Sequence, residues 1–279
     1  METNSNTFSC QYQWGIQATP AHQHLIVFVE LGDIGATLFV YDKKSASPVA
    51  LRHYALPMGD HDYKSFFLFI ISELKAIDPS LSIHRLCIDR SDYTIVPNAF
   101  LAETKANEHL SFLFGSNDGF MVNQVSLFND NQCSLIYRYP NTLSETTALY
   151  SLAPIGHSDQ WILERSLQQN GLHCFIDPVR VKVHYIQNNQ LIYAGSSGYI
   201  NQHDILYFLL TVCNQYHIDR NTVHVLLNGS VSPSSALYKT VFDYFINLNL
   251  AETETPQSDT DELPAYFYST LKYLVTCES

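Results

Sequence analysis

From His24 onward, apolar residues either alternate with polar ones or merge into short runs, and the order of these runs is the same in both halves of the chain. HLIVFVELG, GATLFVYD and VALRHYAL are strand-length and rich in β-branched and aromatic residues, which predicts three consecutive strands. After Pro57, DHDYKSFFLFIISELKAI predicts a helix opened by Asp60 or Asp62 as its cap and stopped by Pro79. SIHRLCIDR predicts a fourth strand, and TIVPNAFLAETKANEHLSFLFG a strand end, a proline and a helix. The order then returns. GLHCFID, VRVKVHYI and QLIYAGSS predict three strands, the last two joined by a tight turn at Asn188-Asn189. HDILYFLLTVCNQYHI predicts a helix, TVHVLLNG a strand, and SPSSALYKTVFDYFINL an amphipathic helix capped by Ser232 or Ser234.

Between the halves, MVNQVSLFNDNQCSLIYRYP predicts a β-hairpin, and NTLSETTALYSL and HSDQWILERSLQQN predict helices leading into the second half. Residues 1–22 show no period and are expected as a loose tail. AETETPQSDTDEL is expected as an exposed acidic loop, followed by a closing helix over PAYFYSTLKYLVTC.

Aligning the helices on His61-Asp62 and His203-Asp204, an offset of 142, sets Phe66 against Phe208, Leu68 against Leu210 and Ile70 against Val212. A two-residue gap then sets Ile83, His84 and Leu86 against Val223, His224 and Leu226. Three antiparallel strands followed by helix, strand and helix form the ribonuclease-H-like α/β unit. Two such units in tandem predict an actin-like ATPase fold, with a first lobe at 23–140 and a second at 141–279.

Composition narrows the partners. A formal charge of −12, with fifteen Lys plus Arg and no basic cluster, argues against nucleic acid and against an anionic membrane surface. The six cysteines show no CxxC spacing, and Cys87, Cys174 and Cys213 lie in apolar runs as small hydrophobes. The N-terminal segment lacks the basic and apolar regions of a signal peptide, and no apolar run approaches the ~20 residues of a membrane span. The expected compartment is the cytoplasm, with reduced thiols.

DYTIVPNAF, NNQLIYAGSSGYINQHDILYFL and LLNGSVSPSSALY resemble an uncharacterised bacterial family of unknown function with an actin-like fold, over most of the chain from His24. That resemblance implies ATP with Mg²⁺ bound between two lobes, each lobe supplying a glycine-bearing hairpin turn with an acidic residue. In the first lobe the matching residues are Glu30-Leu31-Gly32-Asp33-Ile34 and then Gly35, with Glu30 in place of the acid that orients a metal-bound water. Asp33 adds a negative charge beside the phosphates, worth about 1 kcal/mol of repulsion at ~4 Å in water. In the second lobe Asp177-Pro178-Val179-Arg180-Val181 has no glycine, and Pro178 removes an N–H donor. At the adenosine turn, Asn228-Gly229-Ser230 keeps one glycine. Plain turn chemistry accounts for Gly32, Gly35, Asn228 and Gly229 as well.

A ribonuclease-H-like nuclease would need Glu30, Asp62 and Asp89 to converge on divalent metal. The twelve histidines show no metal-ligand spacing, and Gly156-His157-Ser158 lacks the nucleophile elbow of a hydrolase. The leading expectation is a non-catalytic or degenerate nucleotide-binding adaptor with a protein partner. The alternatives are an ATP-dependent kinase or ATPase and the metal nuclease. The abundance of aromatic residues also permits a dimer.

Overall fold

The computed structural model of the chain describes residues 8, 10–15, 24–33, 35–56, 62–101, 105–127, 133–150, 154–178, 180–251 and 271. Its contacts separate two compact units, 1–161 and 162–277, so the division falls after Trp161, where the sequence had placed it at 140/141.

The first unit contains β1 (Cys10–Gly15), β2 (Leu25–Gly32), β3 (Gly35–Asp42), β4 (Ser47–Ala55), α1 (Tyr63–Ile77) and β5 (Arg85–Asp89). An excursion follows through β6 (Tyr93–Pro97), α2 (Asn98–Leu101), α3 (Ala106–Phe114), β7 (Phe120–Leu127) and β8 (Cys133–Pro140). The chain returns through α4 (Asn141–Leu149) and β9 (Pro154–His157) to α5 (Ser158–Ser166). The main sheet has the order β1-β4-β3-β2-β5-β9. β2 is antiparallel to β3 and parallel to β5. Leu25 to Val29 are buried without interruption, as expected of a central strand covered on both faces.

α1 forms because its apolar positions recur every three or four residues. Tyr63, Phe66, Phe67, Ile70 and Leu74 make its buried face. Asp62 is the N-cap, accepting from the Ser65 N–H at 3.0 Å. Asp60 lies outside the described residues. The hairpin β7–β8 joins β6 in a separate three-stranded sheet, order β6-β8-β7. Arg138 on β8 is its hub. The guanidinium pairs with Asp92 at 3.0 Å, donates to the carbonyls of Phe114, Gly115 and Ser116 and to Asn117 Oδ1, and lies over the Phe120 ring at 4.4 Å. It thereby satisfies the carbonyls at the end of α3, which the helix itself leaves without partners.

The second unit contains β10 (Gly171–Ile176), β11 (Arg180–Gln187), β12 (Gln190–Gly198), α6 (Gln202–Gln215), β13 (His224–Gly229), α7 (Ala236–Phe242) and β14 (Asn247–Leu250). Its sheet order, β12-β11-β10-β13-β14, repeats β4-β3-β2-β5-β9 of the first unit. The β-β-β-α-β block and the strand that follows it are therefore present twice, as five strands in the same order in each unit, with β1 added as a sixth in the first. Leu172, Cys174, Val225 and Leu227 meet Ile205, Leu209, Val241 and Phe245 in the core between the sheet and α6 and α7.

Several local expectations change. Residues 10–15, expected within the tail, form β1 and pair antiparallel with β4. β9 and β14 have four residues each, too short to show a period, and the first two residues of β14, Asn247 and Leu248, fall at the end of the helix that the sequence predicts. α7 is capped by Ser235, which accepts from the Tyr238 N–H at 3.1 Å, not by Ser232 or Ser234. The helix alignment also shifts. Asp62 caps α1, whereas the cap of α6 is Asn201, with Asp204 completing a capping box three residues on. Cap on cap gives an offset of 139, which sets the buried Phe66, Phe67, Ile70 and Leu74 against the buried Ile205, Leu206, Leu209 and Cys213. The strand offset of 140 stands, since β5 ends at Asp89 and β13 at Gly229. Asn188 and Asn189 both take left-handed φ, 53° and 58°, as a two-residue hairpin turn requires. The acidic loop and, apart from the buried Leu271, the closing helix lie outside the described residues.

Replacing Arg138 by Ala leaves Asp92 and the ends of α3 without their donor, and should lower stability by about 3–5 kcal/mol in urea unfolding. The Asp62 carboxyl is held below the usual range, chiefly by the Ser65 hydroxyl and then by the Ser65 N–H. A depressed folded-state pKa stabilises fully above the unfolded value of roughly 4, and this is lost as pH falls through the folded one. Asp62→Ala should therefore cost about 1 kcal/mol at neutral pH. Unfolding curves of the variant and the parent should converge as the pH is lowered.

Candidate functional site

The expected phosphate-loop residues occupy the β2–β3 turn of the first unit and the β10–β11 turn of the second. In the first, Asp33 is already engaged. Its carboxylate pairs with Arg90 at 3.2 Å and accepts from the Ser91 N–H at 2.7 Å. Arg90 also donates to the Tyr63 hydroxyl at 3.0 Å. The charge expected to repel phosphate thus ties the hairpin to the segment after β5. Gly32 has ordinary room for a Cβ, 3.5 Å from the nearest atom. A Cβ on Gly35 would lie 2.3 Å from the Tyr54 carbonyl oxygen. Gly35 is therefore required by the pairing of β3 with β4, whatever the turn binds. Glu30 lies on β2 opposite Thr37 of β3 and Cys87 of β5.

The second turn is closed on itself. Asp177 accepts from the Arg180 N–H at 2.7 Å and from its Nε at 3.1 Å, while the Asp177 N–H donates to the Arg180 carbonyl at 3.0 Å. Pro178 has no N–H to offer, so the backbone donors of Asp177 and Arg180 are both committed within the turn. The Tyr199 hydroxyl donates to the Asp177 carbonyl at 2.6 Å. The residues described here do not fit a triphosphate, which needs free N–H groups converging from glycine-bearing backbone. The sequence shows the missing glycine and Arg180 within the loop, but neither aspartate–arginine pairing was read from it. The Asp177-x-x-Arg180 spacing was a usable signal, whereas Arg90 meets Asp33 only through the pairing of β2 with β5.

Asn228 and Gly229 end β13. Gly229 has φ +88°, and a Cβ there would lie 2.2 Å from the Ile176 carbonyl oxygen. The same oxygen accepts from the Ser230 N–H at 2.8 Å. The glycine is thus demanded by the close approach of β13 to β10. Asn228 is buried and donates to the Cys174 carbonyl at 3.4 Å.

The three acids of the nuclease reading do not gather. Among the described residues, the group with metal-ligand proximity around Asp89 comprises His157 and Asp159, with all ligand atoms within 4.8 Å, and omits Glu30 and Asp62. Asp62 is spent as the cap of α1. Asp89 accepts from the Ser158 hydroxyl. The His157 ring is fixed as well. Its Nε2 donates to the Arg90 carbonyl at 2.8 Å, and Nδ1 accepts from the Asp159 N–H at 3.2 Å. A carbonyl cannot donate and an N–H cannot accept, so the tautomer is determined and neither nitrogen offers a free lone pair. Tyr93 and Tyr137 flank the ring, with centroids 4.5 and 5.3 Å away. The cluster is a buried hydrogen-bonded joint between β5, β9 and α5.

The profile described as "Protein of unknown function (DUF3822)" matches residues 18–248. Among curated proteins, none matches the chain by sequence. A Bacteroides thetaiotaomicron protein "with actin-like ATPase fold and unknown function" is similar at a TM-score of 0.71 and 15% identity, over 92% of this chain and 97% of its own. A chain of the "PilM-PilN type IV pilus biogenesis complex" is similar at a TM-score of 0.55 and 10% identity, over 81% of this chain and 88% of its own. The fold is thus that of the actin-like ATPases.

Gly229→Ala should destabilise by about 1–3 kcal/mol from the backbone conformation alone, and more from contact with Ile176. Gly32→Ala should change stability by less than about 1 kcal/mol. Paired urea titrations of the two variants check the contrast.

Proposed function

The chain belongs to the DUF3822 family of proteins of unknown function, and from that premise we propose that it is a non-catalytic actin-like protein working as an adaptor or scaffold in a protein complex. The observation that carries this reading is that each hairpin turn in a phosphate-loop position is closed by an aspartate–arginine pair, Asp33–Arg90 in one unit and Asp177–Arg180 in the other. A catalytic acid must be free to polarise water or bind metal. Asp177 is instead neutralised by an arginine from its own turn, and Asp33, which would stand beside the phosphates in the first turn, is neutralised by one from the segment after β5.

The pilus biogenesis complex is one instance of this fold in an assembly, and it lends the adaptor reading support. The net charge of −12 favours a protein partner over nucleic acid. Among the described residues no helix is long and apolar enough to cross a membrane. The cytoplasm is the compartment we propose.

Mg-ATP discriminates this reading from an ATP-dependent enzyme. A working site at 100 times its dissociation constant would add about 2.7 kcal/mol of stability. The expected result is an unchanged melting temperature in millimolar Mg-ATP and no phosphate release. A rise in melting temperature with steady ATP turnover would overturn the proposal. For the adaptor half, the full-length tagged chain purified from its native cell should retain one stoichiometric protein partner. A chain recovered alone under mild conditions would count against that role.

A further inference from the structure

The outermost strand of the second unit presents an edge that its counterpart in the first unit has covered. The common strand order makes β12 the equivalent of β4. On β4 the strand β1 is added antiparallel, from Cys10 opposite Tyr54 to Gly15 opposite Ala50. Among the described residues β12 pairs with β11 alone. The same place in the fold thus accepts a further strand in one unit and holds an open edge in the other.

An open edge is a row of unused N–H and C=O groups, and proteins ordinarily blunt it with charge, proline or short length. β12 is nine residues long, QLIYAGSSG, with no charged residue and no proline. Its one irregularity is Ile192, which is left without a partner where Tyr193 stands opposite Tyr185 and Leu191 opposite Ile186. Beyond that bulge, residues 193–198 run in unbroken register with 180–185. Gln190, Ile192, Ser196 and Gly198 are exposed. The edge strand at the other side of this sheet, β14, has only four residues.

From these features we propose that β12 pairs antiparallel with β12 of a second copy of this chain, about a two-fold axis that makes the two sheets continuous. A chain of net charge −12 repels its own copy, so self-association needs a contact strip without charge, and β12 is such a strip. Antiparallel pairing is the arrangement a strand makes with itself under two-fold symmetry, and its backbone hydrogen bonds supply the affinity. An axis at Gly195 lies within the unbroken stretch and sets Tyr193 against Ser197 and Ala194 against Ser196. The large side chain then meets a small one. Tyr193 also leans along its own strand and not across the edge, since a Cβ on Gly195 would lie 2.2 Å from the tyrosine hydroxyl. The contact uses neither hairpin turn, and its test needs no nucleotide or other protein, so it stands or falls separately from the adaptor reading.

Sedimentation equilibrium of the purified full-length chain, from about 1 to about 100 µM, should show a monomer–dimer equilibrium. Ser196→Lys changes an exposed residue and puts like charges on both sides of the contact, so it should weaken the dimer about tenfold or more. Tyr207→Lys adds the same charge on α6, where Tyr207 is 74% exposed, and should leave the dimer unchanged. In the unaltered chain, amide hydrogen exchange over residues 193–197 should slow as the concentration rises through the dissociation constant. A chain that stays monomeric at about 100 µM overturns the inference, including one that instead carries a foreign extended segment on β12. So does a dimer that Ser196→Lys leaves intact, one that Tyr207→Lys dissociates equally, or exchange over 193–197 that ignores concentration.

Discussion

In each unit the structure depends on one parallel ladder, in which the first strand of the block pairs with the strand that follows its helix. β2 meets β5 from Phe28–Arg85 to Gly32–Asp89, and β10 meets β13 from Leu172–Val225 to Ile176–Gly229. A parallel partner cannot be reached by a tight turn. The intervening helix must cross over the sheet and bury its apolar stripe there. Phe66, Phe67 and Ile70 in one unit and Ile205, Leu206 and Leu209 in the other are that stripe. The ladder also brings the end of the fourth strand beside the first hairpin. This puts Arg90 within reach of Asp33 and forces a glycine at 229.

The same placement explains why the hairpin turns are electrostatically quiet. Arg90 and Arg180 keep side-chain exposures of only 13% and 10%. Ion pairs this sheltered are screened less by solvent than those on open surface, and separating them exposes each partner's desolvation. Both turns are thus held by contacts that use the very groups a nucleotide would require. Duplicated architecture and altered turn chemistry coexist because packing needs the glycines at 35 and 229, the first where β3 runs antiparallel to β4 and the second in the parallel ladder of β10 and β13, while the stretch Asp177–Val181 contains no glycine.

Much of this was legible in the sequence. Apolar runs such as LIVFVELG and GLHCFI read as strands, and the Asn188-Asn189 turn was set by local backbone preference. The repeated element order gave the fold. What stayed hidden depended on partners distant in the chain. β1, β9 and β14 are short strands made regular by a neighbour's hydrogen bonds, not by their own pattern. The 142-residue alignment followed a repeated His-Asp pair, whereas the helix caps use different residues, Asp62 and Asn201, and move the register by three. Of the candidate site residues, the acids at 33 and 177 could be found but their arginines could not both be paired. His157 and Asp159 join Asp89 only because β9 lies beside β5.

The pair Asp92–Arg138 has a consequence for how the chain can vary. Asp92 is where the chain leaves the large sheet and Arg138 is where it comes back, and besides their ion pair the Arg138 N–H donates to the Asp92 carbonyl at 3.0 Å. The excursion is pinched shut at its neck. The strands beyond it experience a short connection, however much polypeptide the loop contains. Loop-closure entropy grows only logarithmically with length, and the contacts at the neck are what offset it. A change of length between these two residues therefore reaches the parent sheet only through this neck.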